Sequence, residues 1–159
     1  MVRMVSLDTA SNITGWAYWG SGKLKKHGTI DLSQMKRSPE KLDLMCKEII
    51  KVLKKFNPDI IVIEMTVVPN NAGTQRMLSE IVGVVRGYSL SCDKDITFIR
   101  LRPTEWRKLV KGNINPPKSK KDGLKEWDIK RCEELYLFKP IDDNEADAVL
   151  IGSAYINMF

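Results

Sequence analysis

Hydrophobic and polar positions change period several times along this chain, and each change marks an element. "MVSLD" (4–8) is a short apolar run ended by an acid, which predicts a buried strand. "TASN" follows as a turn. "ITGWAYW" (13–19) and "KLKKHGTI" (23–30) predict two further strands around Gly20-Ser21-Gly22, a hairpin signal. The first three strands thus form an antiparallel meander. The period then lengthens. Ser38-Pro39-Glu40 supplies a cap, a proline at the first helical position and an early acid. Leu42, Met45, Ile49, Val52, Leu53 and Phe56 recur behind it at three-to-four spacing, and Asn57-Pro58-Asp59 stops the helix.

"IIVIE" (60–64) is apolar until its last residue, as expected for a central parallel strand buried on both faces. Residues 74–91 suit a second helix, with Met77, Leu78, Ile81, Val84, Val85 and Tyr88 apolar. Its Gly83 and Gly87, four apart, permit close helix contact. "ITFIRL" (96–101) is another strand, and Pro103 opens a short helix, "TEWRKLVK". "GNINPPKSKKDG" is a Gly/Pro/Lys-rich loop. A helix from about 124 to 135 and a last one from about 143 to 158 complete the chain. The order βββ-α-β-α-β-α-α-α predicts one α/β domain over 1–159. Its mixed five-stranded sheet is flanked by helices on both faces.

Composition agrees with a single domain: 159 residues, 43% of them hydrophobic, are enough for a substantial core. No apolar run approaches the ~20 residues of a membrane span, and "MVRMVSLD" is a strand-like start without a signal-peptide core. Cys46, Cys92 and Cys132 are odd in number and share no CxxC spacing, which points to reduced thiols in a cytoplasmic protein. The net charge of +6 is unevenly placed. Arg102, Arg107, Lys108, Lys111, Lys118, Lys120, Lys121 and Lys125 face only Glu105 and Asp122 within their segment, so that segment holds the whole excess. Concentrated positive charge suggests a polyanion partner; a solvated helical surface is the plainer alternative.

The acids are more specific. Asp8 and Glu64 each end a buried strand, where an ionised carboxylate needs a partner to offset its desolvation. "DDNEADA" (142–148) precedes the apolar run of the last helix. Asp142 and Glu145 suit a helix start, where acids face unpaired N–H groups. Asp147 lies beyond the cap, between Ala146 and Ala148 and just before the apolar run, on a face that should be buried. Two strand-end acids plus one inside a helix predict a shared metal site, and oxygen-only ligands suit Mg²⁺ or Mn²⁺. His27, alone in a polar strand, is expected at the surface and argues against zinc.

With these pieces in order, the chain resembles the RuvC family of Holliday-junction resolvases, within the RNase H-like superfamily. The matching blocks are "LDTASNITGWAYW", "PDIIVIEMTVVPNNAGTQ", "RPTEWRKLVKG" and "NEADAVLIGSAY", in family order and over nearly the whole chain. The small size and the DDNEADA ending look phage-like. The resemblance implies an RNase H-like fold and an endonuclease that cuts four-way DNA junctions, leaving 5′-phosphate and 3′-hydroxyl ends. It makes Asp8, Glu64 and Asp147 catalytic carboxylates holding two Mg²⁺ (or Mn²⁺) ions. One ion activates a water and the other stabilises the leaving oxygen. Three residues before Asp147 the family has Asp or His, and this chain has Asn144. Asp143 or Asn144 completes the set, Asp143 favoured by charge and Asn144 by alignment. An aromatic that stacks on a junction base in cellular members is replaced by Val67 and Val68. Arg107 and Lys125 match positions that contact DNA near the cut, and Lys108, Lys111, Lys118, Lys120 and Lys121 extend the phosphate path. The helix of 74–91 matches the family's dimer helix, so a homodimer is expected on branched DNA.

Other readings share parts of this pattern. Actin-like kinases have the same acid-turn-Thr-Gly hairpin but need a second domain to close on a nucleotide. An RNase H-type or YqgF-like RNA nuclease would cut a different substrate. A non-catalytic branched-DNA-binding protein would carry a degraded site.

Overall fold

In the computed structural model, which describes residues 1–159, the predicted meander forms from β1 (Arg3–Asp8), β2 (Ile13–Gly20) and β3 (Lys23–Asp31). Ser21 (φ 48°) and Gly22 (φ 74°) are both left-handed, the geometry a two-residue hairpin requires to match strand twist. β4 (Ile60–Glu64) and β5 (Thr97–Leu101) add parallel strands, giving the order β3-β2-β1-β4-β5. This is the mixed five-stranded RNase H-like sheet, with the apolar run of β4 inside it.

Helices cover both faces: α1 (Pro39–Phe56), α2 (Ala72–Ser91), α3 (Pro103–Val110), α4 (Leu124–Tyr136) and α5 (Asp143–Ile156). α1 starts where Ser38 Oγ accepts the Lys41 N–H at 3.2 Å. It stops at left-handed Asn57, whose N–H donates to the Leu53 carbonyl at 2.8 Å. α2 begins two residues earlier than the periodicity predicts, because Asn71 caps it through the Thr74 N–H. A 3₁₀ turn at Lys120–Asp122 interrupts the loop after α3.

Strand alternation divides the core. Val5, Leu7, Ile61 and Ile63 point toward α1 and α2, where they bury Met45, Ile49, Leu53, Ile81 and Val85. Each such side chain contributes about 1.5–3 kcal/mol by leaving water. Met4 and Val62 point the other way, to Trp106 of α3, Cys132 of α4 and Val149, Leu150 and Ile151 of α5. Asp8 and Glu64 continue this second face, so the period of two aims both at the layer that holds α5.

α5 is fastened to the sheet at two levels. Ser6 Oγ donates to the Ala148 carbonyl at 2.7 Å and accepts from Trp19 Nε1 at 3.0 Å. Gly152 passes over that pair, and a Cβ there would overlap Trp19 Nε1 and lie 2.6 Å from Ser6 Oγ. In the first turn of the helix, Gly15 of β2 lies against the Asn144 carbonyl, with no room for a Cβ.

His27 departs from the surface position expected of it. Its Nδ1 is 2.6 Å from Glu145 Oε1, and its ring stacks on Phe138 at 3.9 Å. Glu145 is itself buried and also accepts the Ile141 N–H at 2.6 Å. It is a tie between helix and sheet rather than an exposed decoration. Asp142 does cap the helix, accepting the Glu145 N–H at 2.9 Å.

Candidate active site

The register of β1 on β4 pairs Leu7 with Ile63, so the next residues, Asp8 and Glu64, end side by side at the carboxyl edge of the sheet. α5 crosses above them and lowers Asp147 onto the pair. One carboxylate oxygen from each of the three lies within 4.8 Å of the others. Asp8 and Glu64 are partly buried, and Asp147 is 8% exposed. The group forms the floor of a cleft of about 400 Å³.

Each carboxylate is held differently. Glu64 accepts the Trp106 indole N–H at 2.7 Å and the Thr66 hydroxyl at 2.6 Å. Asp147 Oδ2 lies 3.8 Å from Arg107 Nη2, and its Oδ1 is buried with no hydrogen-bond partner. Burial raises the Asp8 carboxyl well above the ordinary aspartate range, and the charges of Glu64 and Asp143 push it further. Burial also raises Asp147, reinforced by Asp8, Asp128 and Glu64. Like charges this close, on the partly buried floor of a cleft, call for a cation.

Arg107, expected on the DNA path, turns inward. It makes a two-pronged pair with Asp128 at 2.9 and 2.7 Å, and its guanidinium lies 4.2 Å from the Trp106 ring centroid. Burial lowers its pKa, but Asp128, Asp147 and Glu64 outweigh that and leave it above the ordinary value. Asp128 is 1% exposed. The periodicity of α4 did not single it out, although an acid between Trp127 and Ile129 carries the same mark as Asp147. Trp106 and Thr66 left no comparable trace in the sequence.

Asp143 and Asn144 both line the cleft. The Asp143 carboxylate is 3.1 Å from Lys125 Nζ, whose pKa rises through that bond, and it stands outside the three-carboxylate group. Lys120 and Lys125 line the acidic cleft. Lys108, Lys111 and Lys118 line a neighbouring one of about 670 Å³ that shares Pro103, Arg107 and Leu124 with it. Lys121 is exposed and lines neither.

No family model matches the sequence, and no curated protein matches it. Solved structures do. The structure of Thermus thermophilus RuvC in complex with a Holliday junction substrate superposes with a TM-score of 0.74 at 12% identity, covering 99% of this chain and 94% of that one. The fold is that of RuvC. Fowlpox virus resolvase, solved with Holliday junction DNA, gives 0.64 at 15% identity over 99% and 98% of the two chains. The yeast mitochondrial Holliday junction resolvase gives 0.60 at 13% identity over 98% and 79%. The RuvC-like fold therefore spans essentially the whole chain, with an acidic triad at the carboxyl edge of its sheet. No helix is long and apolar enough to cross a membrane.

Proposed function

We propose that this protein is a structure-specific endodeoxyribonuclease that resolves four-way DNA junctions, and related branched DNA, by divalent-metal-dependent hydrolysis. The convergence of Asp8, Glu64 and Asp147 within 4.8 Å carries this reading. An unpartnered buried Asp147 oxygen and mutual charge repulsion make the donor set fit hard, oxygen-seeking ions such as Mg²⁺ or Mn²⁺. When bound, a pair of such ions supplies the activated water and the charge neutralisation that phosphodiester displacement needs.

The chain's own groups have separate tasks. Trp106 and Thr66 fix the Glu64 carboxylate, leaving it little freedom to turn away. Asp128 orients Arg107, which holds a positive charge beside Asp147. Arg107 thus partly balances the acids before any ion arrives. Lys125 restrains Asp143, which would supply the fourth charged ligand of a bound ion; the Asn144 amide would be the neutral alternative. Lys108, Lys111, Lys118 and Lys120 line the approach for backbone phosphates, with Lys121 beside it. Products would carry 5′-phosphates.

A homodimer through α2 suits a two-fold substrate. Gly83 and Gly87 leave open space where a partner helix would fit, and the exposed Leu90 extends that face. Such an enzyme would work in the cytoplasm. An RNA nuclease of the same fold differs in substrate, and the fold neighbours solved with Holliday junctions favour DNA.

The deciding experiment compares wild type with Asp8→Asn on synthetic four-way, three-way and linear DNA in Mg²⁺. Wild type should cut the four-way junction at paired sites. Asp8→Asn should lose several powers of ten in rate while still binding. Cleavage at wild-type rate by the variant would refute the assignment. Preferential cutting of an RNA–DNA hybrid would favour the RNase H alternative.

A further inference from the structure

A second cleft, of about 420 Å³, opens between the turn after β1 and the starts of α1 and α2. We propose that it binds a backbone phosphate of the DNA substrate, a short way along the strand from the phosphate that is cut. This rests on the nuclease reading above.

The lining is cationic and hydroxylic, and no acid takes part in it. Ser11 and Asn12 come from the turn, Ser38 and Lys41 from the start of α1, and Arg37 from just before it. Lys41 is 5% exposed, an unusual place for a lysine. Its ammonium donates to the Asn12 side-chain oxygen and to the Met35 carbonyl at 3.0 Å, both neutral. Neither Lys41 nor Arg37 forms an ion pair. Asp31, the acid that feels the Lys41 charge, lies off the lining, and its carboxylate accepts the Ser33 N–H at 2.9 Å and the Ser33 hydroxyl at 2.5 Å.

A buried ammonium without an ion-pair partner in contact is costly, and an anion in the cleft would relieve it. Two helix starts add to the field, because Ser38 caps α1 and Thr74 lies in the first turn of α2. Position then identifies the anion. Ala10 and Thr74 line both this cleft and the acidic one, so the two adjoin. DNA laid across three carboxylates is repelled there unless cations hold it on each side. Lys120 and Lys125 hold one side, and Lys41 and Arg37 hold the other.

A lysine that only ties α1 to the turn would explain the Lys41 bonds, but it would leave exposed Arg37 without influence on DNA. The test uses Asp8→Asn protein, which keeps the junction intact. Parent, Arg37→Ala, Lys41→Gln and Lys41→Arg versions bind a four-way junction over a range of salt. Methylphosphonates then replace single phosphates around the mapped cut site. Arg37→Ala and Lys41→Gln should each weaken binding several-fold and flatten the salt slope by up to about 0.9, the value of one phosphate contact. Lys41→Arg should retain the parent slope. One methylphosphonate position should weaken the parent but leave Arg37→Ala unaffected, with Arg37→Ala melting as the parent does. If the parent binds and no position couples to Arg37 or Lys41, the pocket assignment is overturned and the nuclease reading survives. A parent that binds no branched DNA overturns both.

Discussion

Asp147 carries the sharpest chemical signal in the molecule, a buried oxygen that nothing in the protein satisfies. Together with Asp8 it sets a pH dependence whose sign can be worked out. Both carboxyls have folded-state pKa values above the ordinary 3.8. Without metal, the folded protein therefore holds these protons more tightly than the unfolded chain. Stability is highest below about pH 4 as far as these groups go, and falls as pH rises through their raised values. A bound divalent ion reverses that loss but must compete with the protons. Saturating Mg²⁺ should accordingly raise Tm by several degrees near neutral pH and by much less at about pH 5. Equal shifts at both values, in a thermal melt, would speak against these ligands. Asp8 and Glu64 were legible in the sequence because each closes an apolar run, and Asp147 because it sits past the helix cap on an apolar face; a carboxylate in either place is costly and needs a reason. Asp128 bears a local mark, an acid between two large apolar residues, but its pairing with Arg107 and the bonds of Trp106 and Thr66 to Glu64 depend on the fold, and no local pattern encodes such meetings.

At the scale of elements, the site depends on where α5 lies. The pleat aims Asp8 and Glu64 to one side, and α5 must descend close enough for Asp147 to join them. Gly15 permits that approach by leaving room for the Asn144 carbonyl. Gly15→Ala should lift the first turn of α5 and cost about 1–3 kcal/mol in urea melts, as overpacking does. Cleavage by the folded variant should fall by about 100-fold, since a displacement near 1 Å is enough for that. A variant with full activity would show that the helix start is free to move. The elements themselves were well marked by period and caps. The helix start at Ala72 and the 3₁₀ turn were less so, because a side-chain cap and a short turn leave little periodic trace. His27 was misplaced for a related reason. Its neighbours in β3 are polar, and the burial comes from Glu145 and Phe138, far away in sequence.

At the scale of the whole molecule, positive charge surrounds a negative centre. The cationic residues between Arg102 and Lys125 account for the entire net charge of +6, yet the structure sorts them. Arg107 turns inward to Asp128, whereas Lys118, Lys120 and Lys121 remain exposed. Replacing those three lysines with alanine should reduce the salt slope of junction binding by roughly 2–3, at about 0.9 per contact. The melting temperature should hardly change, as surface charges contribute little to stability. An unchanged slope would remove them from the DNA path. The sheet-to-helix bond from Ser6 to Ala148 spans 142 positions, and the carboxylates it helps to align come from the first strand and the last helix. Such closure must offset the entropy of ordering the chain between its two ends. During synthesis, the carboxylate triad therefore cannot close until the last helix has left the ribosome. A copy terminated before α5 would lack both Asp147 and the helix that covers one face of the sheet, leaving neither the triad nor a closed core.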